Sequence, residues 1–395
     1  MTAAETLGRP TVGDAHLRTA AERTLELLAA QTGRPVGELE TPVAVVDLDR
    51  LEANLKRLQS YGDTHGIALW PHTKTHKSPE IGLRQLALGA QGLTVAKTGE
   101  AEVFREAGAP RILVHYPPFG ADKCDRLARL AAEGLQLTVA VDGVDSAEGL
   151  SAALRRRGAR AHLLVELDAG LHRTGQVTST GALDLAQQLS SWPALEVAGI
   201  SCYPGHCRGD AAIIRSRLEA VDALLRETRD LFTGGGIRCE RISGGSTPTR
   251  YLTHETCVNE LRAGTYALLD LVDGPSEPDG GLEACALWVE VTVVSDSVPG
   301  QIVIDAGSKT LTSDTHPDEG HGAIVGWPDA RLHTLNEEHG YVDVAGMQDR
   351  PALGDHLRVI PNHACGCVNL HDGLLGVRNG FVERVIRVAA RGLVR

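Results

Sequence analysis

Short apolar runs alternate with longer amphipathic segments through the middle of the chain. In the longer segments, such as Lys123–Glu133, Ala147–Arg157 and Ile213–Asp230, Ala and Leu recur at helical spacing among Arg and Glu. A short apolar run between such segments is typical of a buried parallel strand. The runs are Ile67–Trp70, Gly92–Val95, Ile112–His115, Leu137–Val141, His162–Leu167, Val197–Cys202, Cys239–Ser243 and Leu261–Leu268.

Eight strand-like runs separated by helices predict an α/β fold, a (β/α)8 barrel of the TIM type. A doubly wound open sheet gives a similar pattern, so periodicity alone leaves that alternative open. Its dinucleotide-binding version is disfavoured, because no G-x-G-x-x-G follows the first strand.

The pattern changes after about residue 276. Clear helical periodicity is missing there, and β-prone runs are separated by Gly, Asp and Pro. These runs predict a second, C-terminal all-β domain. They are Ala286–Asp296, Gly300–Asp305, Gly322–Val325, Gly340–Val344, His356–Ile360 and Val382–Val388.

A polar segment precedes the barrel. Residues 14–40 are rich in Arg and Glu, periodic in Leu and Ala, and closed by Gly33-Arg34-Pro35. We therefore predict three segments: an N-terminal helical arm over residues 1–40, the barrel over 41–275, and the β domain over 276–395.

The charge and hydropathy of the chain exclude two classes of partner. The formal charge is −12, from 39 basic and 51 acidic residues, which argues against a nucleic-acid surface. No apolar run approaches the roughly 20 residues that span a bilayer, and the first residues lack the pattern of a signal peptide. We expect a cytoplasmic protein whose eight cysteines are mostly reduced thiols.

A lysine directly follows the first strand-like run, in Trp70-Pro-His-Thr-Lys74-Thr-His-Lys77. Residues just past the C-terminal end of a barrel strand face the active site. A lysine there can form a Schiff base if its pKa is lowered, and the neighbouring Lys77 and two nearby histidines would favour this by disfavouring a second positive charge. An isolated K-x-x-K also fits a solvated basic loop.

A second candidate is the loop Ser243-Gly244-Gly245-Ser246-Thr247, again directly after a strand-like run. The glycines let backbone N–H groups approach an anion, and Ser246 and Thr247 supply hydroxyl donors, so the loop fits a phosphate. A flexible turn is the alternative.

Two arginines also follow strand-like runs. Arg262 begins the last barrel element and is placed to complete a phosphate site. Arg173 follows the run His162–Leu167, and its guanidinium suits a phenolate oxygen, a carboxylate or a surface ion pair.

A third candidate is the H-x-C of His363-Ala-Cys365 in the β domain. On an extended chain the two donors share one face, and imidazole plus thiolate match Zn²⁺. Two ligands are fewer than the three usual in a catalytic zinc site. His371, Asp372, a barrel residue or solvent and substrate would complete it. A buried structural cysteine beside a capping histidine is the alternative.

Together these stretches resemble the fold-type III pyridoxal-phosphate enzymes, specifically the D-serine dehydratase and D-threonine aldolase family. The resemblance runs from about Thr41 to Gly392. The segments that carry it are TPVAVVDLDRLEANL, PHTKTHKSPEI, GLTVAKTGEAEVF, VELDAGLHRTG, GGSTPT, LRAGTYALLD, VIDAGSKTLTSD, NEEHG and PNHAC.

The resemblance implies an alanine-racemase-like barrel followed by a β domain, usually in a homodimer, and assigns roles to individual residues. Lys74 would hold pyridoxal 5'-phosphate as a Schiff base, and His363 and Cys365 would bind the metal that contacts the 3-hydroxyl of a small D-amino acid. His206 is a candidate catalytic base. The remaining residues implied at the cofactor are Arg173 near its phenolic oxygen, Tyr203 in its pocket, and Gly244, Gly245, Ser246, Thr247 and Tyr266 at its phosphate.

The chain departs from the family pattern at two places. Trp70 stands where members commonly have Arg, and Gly366-Cys367 where the usual residues are Pro-Thr. Both changes are expected to border the pocket.

Two reactions fit such a site. A dehydratase releases a 2-oxo acid and ammonia, whereas an aldolase releases glycine and an aldehyde. Family dehydratases resemble H-x-C with Zn²⁺, and aldolases resemble H-x-D, which suits Mn²⁺ or Mg²⁺. His363-Ala-Cys365 therefore favours the dehydratase. A cofactor-carrier protein would lack the β domain, and a racemase or decarboxylase would need no metal.

Overall fold

The structure, a computed structural model, describes residues 19–277, 281–316 and 320–395. The strands are β1 Val43–Asp47, β2 Ala68–Leu69, β3 Leu93–Val95, β4 Arg111–Val114, β5 Gln136–Val141, β6 Ala161–Leu167, β7 Leu195–Cys202, β8 Arg241–Gly244, β9 Glu260–Leu261, β10 Leu287–Ser295, β11 Gln301–Ile304, β12 Gly322–Ile324, β13 Arg331–Leu335, β14 Gly340–Asp343, β15 His356–Pro361, β16 Gly373–Arg378 and β17 Phe381–Arg387. The α-helices are α1 Ala20–Ala29, α2 Leu48–His65, α3 Pro79–Leu88, α4 Thr98–Glu106, α5 Ala121–Ala132, α6 Val144–Arg157, α7 Ser179–Ser190, α8 Ala211–Gly234, α9 Ser308–Leu311 and α10 Ala364–Val368. Short 3-10 helices cover Val36–Glu38, Arg250–Glu255, Thr265–Ala267, Gly274–Ser276 and Gly281–Ala284.

Strands β2 to β9 form a closed parallel barrel. Their order in the sheet is β2-β9-β8-β7-β6-β5-β4-β3, and a bridge between His72 and Thr94 joins the two ends. The N–H of Thr94 donates to Pro71 O, and the N–H of Thr73 donates to Thr94 O, at 2.8 Å each. Each predicted run contains or overlaps one of these strands. The (β/α)8 prediction is thus confirmed, and the open-sheet alternative is wrong.

A large aromatic ring fills the lower interior of the barrel. Trp70 is 6% exposed and packs with Leu113, Leu164 and Ala198. The guanidinium of Arg241 lies 4.7 Å from the centre of its ring. The space for this ring exists because Gly92 has no side chain: a Cβ there would come within 2.3 Å of Trp70.

In the described part of the C-terminal half, six antiparallel strands close into a second, smaller barrel. The order is β11-β14-β13-β12-β15-β10, and β10 pairs again with β11. The predicted β domain is therefore confirmed. Strands β13 and β16 were not among the predicted runs. Polar residues interrupt Arg331–Leu335, and two glycines interrupt Gly373–Arg378, which weakens their β signal.

Strand β1 belongs to the β domain's sheet, although it lies within the segment 41–275 predicted as the barrel. It pairs antiparallel with β10 and parallel with β16. Its carboxylate Asp47 then caps α2 by accepting from the N–H groups of Asp49 and Arg50. The three predicted segment boundaries themselves stay a prediction.

The arm before β1 is only partly helical. Helix α1 begins with a capping box of Thr19 and Glu22, and the chain after it docks on β17 through Gly33 N–H to Val382 O at 2.8 Å. Residues 1–18 of the predicted arm lie outside the described residues. Across residues 19–277, 281–316 and 320–395, no helix has the length and apolar character to cross a membrane.

A buried ion pair ties the barrel to the segment that leads into the β domain. Arg250 follows the loop after β8 and pairs with Glu277, with 1% and 2% of the side chains exposed. Arg57 also donates to Glu277, at 2.7 Å, and Arg250 donates to the carbonyl of Thr247. The buried side chain of Arg250 therefore anchors the loop after β8 through the carbonyl of Thr247.

We expect Gly92→Ala to lower the free energy of unfolding by about 1–3 kcal/mol, because the new methyl group overlaps Trp70. Denaturant titration of both proteins measures the change. Gly234→Ala is the control, since a Cβ at the end of α8 meets nothing within 4 Å. An equal effect of the two substitutions would refute the packing argument.

Removal of the Glu277 carboxylate should cost about 3–5 kcal/mol of stability, because Glu277→Ala leaves Arg250 charged and buried. Glu283→Ala removes one of the two carboxylate partners of the partly exposed Arg50, and its cost should stay within about 1 kcal/mol. Denaturant titration again gives both values. If Glu277→Ala lowers the free energy of unfolding by less than about 1 kcal/mol, the Arg250–Glu277 ion pair is not needed to stabilise this part of the structure.

Candidate functional site

Two adjoining cavities open at the C-terminal ends of the barrel strands. Their volumes are about 600 and 160 Å³. The residues that line both are His72, Lys74, Tyr203 and Arg262. The larger cavity lies over the barrel, and the smaller one extends to His363 and Cys365 of the β domain. This is where a (β/α)8 barrel carries its active site.

The structure distinguishes the two lysines of the first motif. Lys74 lines both cavities and makes no ion pair with any described residue; its Nζ lies 5.4 Å from the centre of the Tyr203 ring. Lys77 is buried, and its Nζ lies 2.6 Å from Glu100 Oε1. Lys77 therefore supplies no uncompensated charge to Lys74, and our expectation that it does so is wrong.

Two histidines at the mouth of the barrel are held neutral. Burial lowers the pKa of His72 well below its usual value, and the charge of Lys74 lowers it further. Burial likewise lowers the pKa of His115, and Arg262, whose Nη2 is 3.0 Å from its Nε2, adds to the effect. The fixed positive charges at this mouth are therefore the lysine and the arginines.

The loop after β8 has the geometry of an anion cradle. Gly245 has a φ of +77°, and a Cβ there would lie 2.3 Å from Leu261, so the position requires glycine. Gly245 lines the larger cavity, while Ser246 and Thr247 line the smaller one. Thr247 Oγ1 accepts from the N–H of Tyr266 at 3.2 Å, which leaves its own hydrogen for a ligand. These residues fit a phosphate group.

Two other residues predicted at the phosphate lie behind this loop. Gly244 ends β8, where its carbonyl accepts from the N–H of Arg262 at 2.9 Å. The ring of Tyr266 is buried, and its hydroxyl accepts from Gln85 at 3.0 Å. Neither residue lines a cavity.

The two arginines have different surroundings. Arg173 lies over the Tyr203 ring, 4.7 Å from its centre, and lines the larger cavity. Arg262 donates to Ser243 Oγ and to Cys202 O, at 2.6 Å each. Its guanidinium is thus tied to the ends of β7 and β8, and it lines the smaller cavity together with Ser246 and Thr247.

The predicted base His206 does not line either cavity. Its Nε2 lies 3.6 Å from Cys207 Sγ, and its buried Nδ1 has no hydrogen-bond partner among the described residues. Burial lowers the pKa of this imidazole. The structure does not bring it together with Lys74.

The H-x-C pair lies against the lysine loop. Cys365 Sγ is 3.2 Å from Thr75 Oγ1, the residue after Lys74. His363 Nδ1 is 3.4 Å from Asp270 Oδ2. Asp270 and Cys365 raise the pKa of His363 to about 11. Burial alone would raise the pKa of Cys365, but His363 brings it below its usual value.

This donor set matches a metal only in part. Imidazole and thiolate fit Zn²⁺, but no third His, Cys, Asp or Glu completes a cluster within the described ranges. His371 contacts Thr310 O at 3.1 Å, and Asp372 pairs with Arg391, so neither of these candidates is directed to the pair. Further positions would fall to water or substrate.

The departures from the family pattern are mostly remote from the cavities. Trp70 lies inside the barrel, so our expectation that it borders the pocket is wrong. Cys367 is buried, and its thiol donates to Thr310 O at 3.3 Å. Gly366 lies against Thr312, whose methyl group a Cβ would approach to 2.8 Å.

Sequence reasoning missed several cavity residues. His72, His115, Asp142, Glu166 and Arg208 were given no role. Four of them follow or end strand-like runs, and that position was the available signal. Asp270 could not be found this way, because it lies 93 residues from the histidine that it contacts.

Comparison with known proteins agrees with this geometry. Residues 46–271 match the family model for the N-terminal domain of alanine racemase, and residues 286–377 match the model for a serine dehydratase domain. The chain is 37% identical over 374 residues to a D-threonine aldolase from an Arthrobacter species, covering 93% of this chain and 96% of that protein.

Solved structures also resemble this chain over most of its length. A D-threonine aldolase from Filomicrobium marinum has a TM-score of 0.87 at 31% identity, over 93% of this chain and 100% of that chain. D-threo-3-hydroxyaspartate dehydratase from Delftia sp. HT23 has a TM-score of 0.81 at 29% identity, over 89% and 98%. Solved forms of such a dehydratase include a histidine-to-alanine variant and, two positions further on, a cysteine-to-alanine variant in the metal-free form.

The agreement extends over nearly the whole chain and includes both of its domains. This protein belongs to the fold-type III pyridoxal-phosphate enzymes, in the lyase family that contains D-threonine aldolase and D-threo-3-hydroxyaspartate dehydratase.

Proposed function

We propose that the protein is a metal-dependent lyase that removes water from a small D-3-hydroxy amino acid, as D-serine dehydratase does, and that hydrolysis of the resulting unsaturated amine then gives a 2-oxo acid and ammonia. The observation that carries the proposal is the contact between the two loops. The thiol of Cys365 lies 3.2 Å from the hydroxyl of Thr75, next to Lys74. A substrate held at the lysine would therefore reach a metal on the H-x-C pair.

Lys74 would hold pyridoxal phosphate and move the proton at Cα. Its amine faces the cavities without an ion-pair partner among the described residues, so no carboxylate has to be displaced first. Gly245, Ser246 and Thr247 would hold the phosphate, Arg173 would interact with the phenolic oxygen, and Tyr203 would line the cofactor pocket. The bound cofactor supplies an electron sink for the negative charge that develops at Cα.

His363 and Cys365 would hold the metal at the smaller cavity, which Lys74 also lines. A metal ion there supplies Lewis-acid chemistry toward the 3-hydroxyl. We propose zinc, because a thiolate is a better ligand for Zn²⁺ than for Mn²⁺ or Mg²⁺. The spacing of the two replaced residues in the dehydratase variants, one of them metal-free, supports the same pairing.

Retro-aldol cleavage to glycine and an aldehyde is the second candidate. The 37% identity to a D-threonine aldolase favours it. This reaction needs a base that takes the proton of the 3-hydroxyl, and His206 does not reach the cavities. The position of His206 and the thiol ligand together favour dehydration. A racemase or decarboxylase, which needs no metal, leaves the H-x-C pair without a role.

We also propose that the working enzyme is a homodimer, as the resemblance to this family implies.

Reduction of the cofactor-loaded enzyme with borohydride should fix the cofactor to Lys74 and leave Lys77 unmodified. The reason is that Lys77 is buried against Glu100, whereas Lys74 faces the cavities. Peptide mass spectrometry identifies the modified lysine. Label on Lys77, or on neither residue of this loop, would rule out the proposed cofactor site.

With pyridoxal phosphate and Zn²⁺, the protein should convert D-threonine to 2-oxobutanoate and ammonia. Mass spectrometry distinguishes these products from glycine and acetaldehyde. Cys365→Ser, which replaces the proposed thiolate ligand, should lose most of this turnover. The matched control Cys367→Ser, which changes a buried thiol two residues away, should keep it. Glycine and acetaldehyde as the main products would mean that the aldolase is correct and that the ligand argument fails.

A further inference from the structure

A buried carboxylate stands behind the H-x-C pair. Asp270 is completely buried, and its Oδ2 lies 3.4 Å from His363 Nδ1. The imidazole of His363 is the only basic side chain within 4.0 Å of this carboxylate among the described residues. A buried carboxylate without a basic partner is strongly unfavourable. Asp270 therefore depends on His363 to offset the cost of burying its charge.

The backbone around Asp270 joins it to the loop that carries His363. Its Oδ2 accepts from the N–H of Ala364 at 2.9 Å, and its Oδ1 accepts from the N–H of Asp273 at 2.8 Å. The next residue, Leu271, donates its N–H to the carbonyl of Pro361 at 3.1 Å. Asp270 is therefore fixed relative to both ends of the H-x-C loop.

The turn that delivers Asp270 uses an uncommon backbone conformation. Leu269 has a φ of +57°, in the left-handed region, although it is a branched residue and is completely buried. That conformation costs about 1–2 kcal/mol for an L-residue. The surrounding structure holds Leu269 in place, with its N–H donating to Thr265 O at 2.7 Å. The chain thus accepts local strain where it directs Asp270 toward His363.

We infer that Asp270 is a positioning residue for the metal ligand His363. The carboxylate occupies Nδ1 of the imidazole and leaves Nε2 as the nitrogen that faces the smaller cavity. It fixes the ring orientation and the tautomer that binds a cation, and it supplies negative charge behind that ligand. Asp270 itself does not line the cavity, so it acts through His363 alone.

This inference rests on the metal site proposed above, and one set of variants separates the two. The proteins, all loaded with pyridoxal phosphate, are wild type, Asp270→Asn, His363→Ala, the double variant and Asp372→Asn. The last is the matched control, because Asp372 lies near the loop but pairs with Arg391 instead of with a ligand. Competition with a chromophoric chelator gives the Kd of Zn²⁺, and absorbance gives the cofactor content.

Asp270→Asn should weaken zinc binding about 10- to 100-fold, with cofactor content unchanged. Because Asp270 acts through His363, the double variant should bind zinc no more weakly than His363→Ala alone. Asp372→Asn should stay within about threefold of wild type. Additive losses in the double variant, or a parallel loss of cofactor from Asp270→Asn, would overturn the inference.

Two results distinguish a failure of the role of Asp270 from a failure of the proposed metal site. If His363→Ala weakens zinc binding and Asp270→Asn does not, the role of Asp270 is refuted and the metal site stands. If His363→Ala binds zinc as wild type does, both proposals fail. A crystal structure of the zinc-loaded wild-type enzyme tests the role without any variant. It should show zinc on Nε2 of His363, and zinc on Nδ1 would refute the role of Asp270.

Discussion

The pairing of β1 is the constraint on which the arrangement of the molecule depends. Val45 lies opposite Trp288 of β10 on one side and Leu375 of β16 on the other, so the strand that precedes the barrel lies inside the other domain's sheet. The chain leaves that sheet through α2 and enters the barrel at β2, which ends at the lysine loop. The β domain returns to the same place through β15. The contact of Thr75 with Cys365 follows from this path, although 290 residues separate them.

The mouth of the barrel combines three cationic side chains, of which Arg262 is buried, with two neutral histidines. Arg173, Arg262 and Lys74 all line the larger cavity, whereas burial keeps His72 and His115 uncharged. Low-dielectric walls strengthen the field of the fixed charges, so the cavity attracts anionic ligands such as a phosphate or a carboxylate. Asp270 has the opposite effect at the H-x-C pair. Its buried negative charge lies beside His363 and favours the binding of a cation there.

The barrel strands are predictable because apolar runs alternate with helical segments, and this periodicity needs no knowledge of partners. β1 shows the limit of that reasoning: a buried run such as VAVVD has the same pattern in either sheet, and only its partners distinguish them. The features of the site also divide into those that local sequence reveals and those that depend on packing. Lys74, His363 and Cys365 are recognisable from local motifs. The pairing of Lys77 with Glu100 is not, because it depends on where a helix packs.

The position of β1 also has a consequence for how the protein is made. Its partners in β10 and β16 follow it by roughly 240 and 330 residues, which at about 5–20 residues per second is a delay on the order of 10–70 s. During that time the ribosome has produced an apolar strand with both edges unpaired. The emerging barrel does not pair with it, since both of its partner strands are synthesised after the eight barrel strands. This stretch is where a nascent chain would need a chaperone.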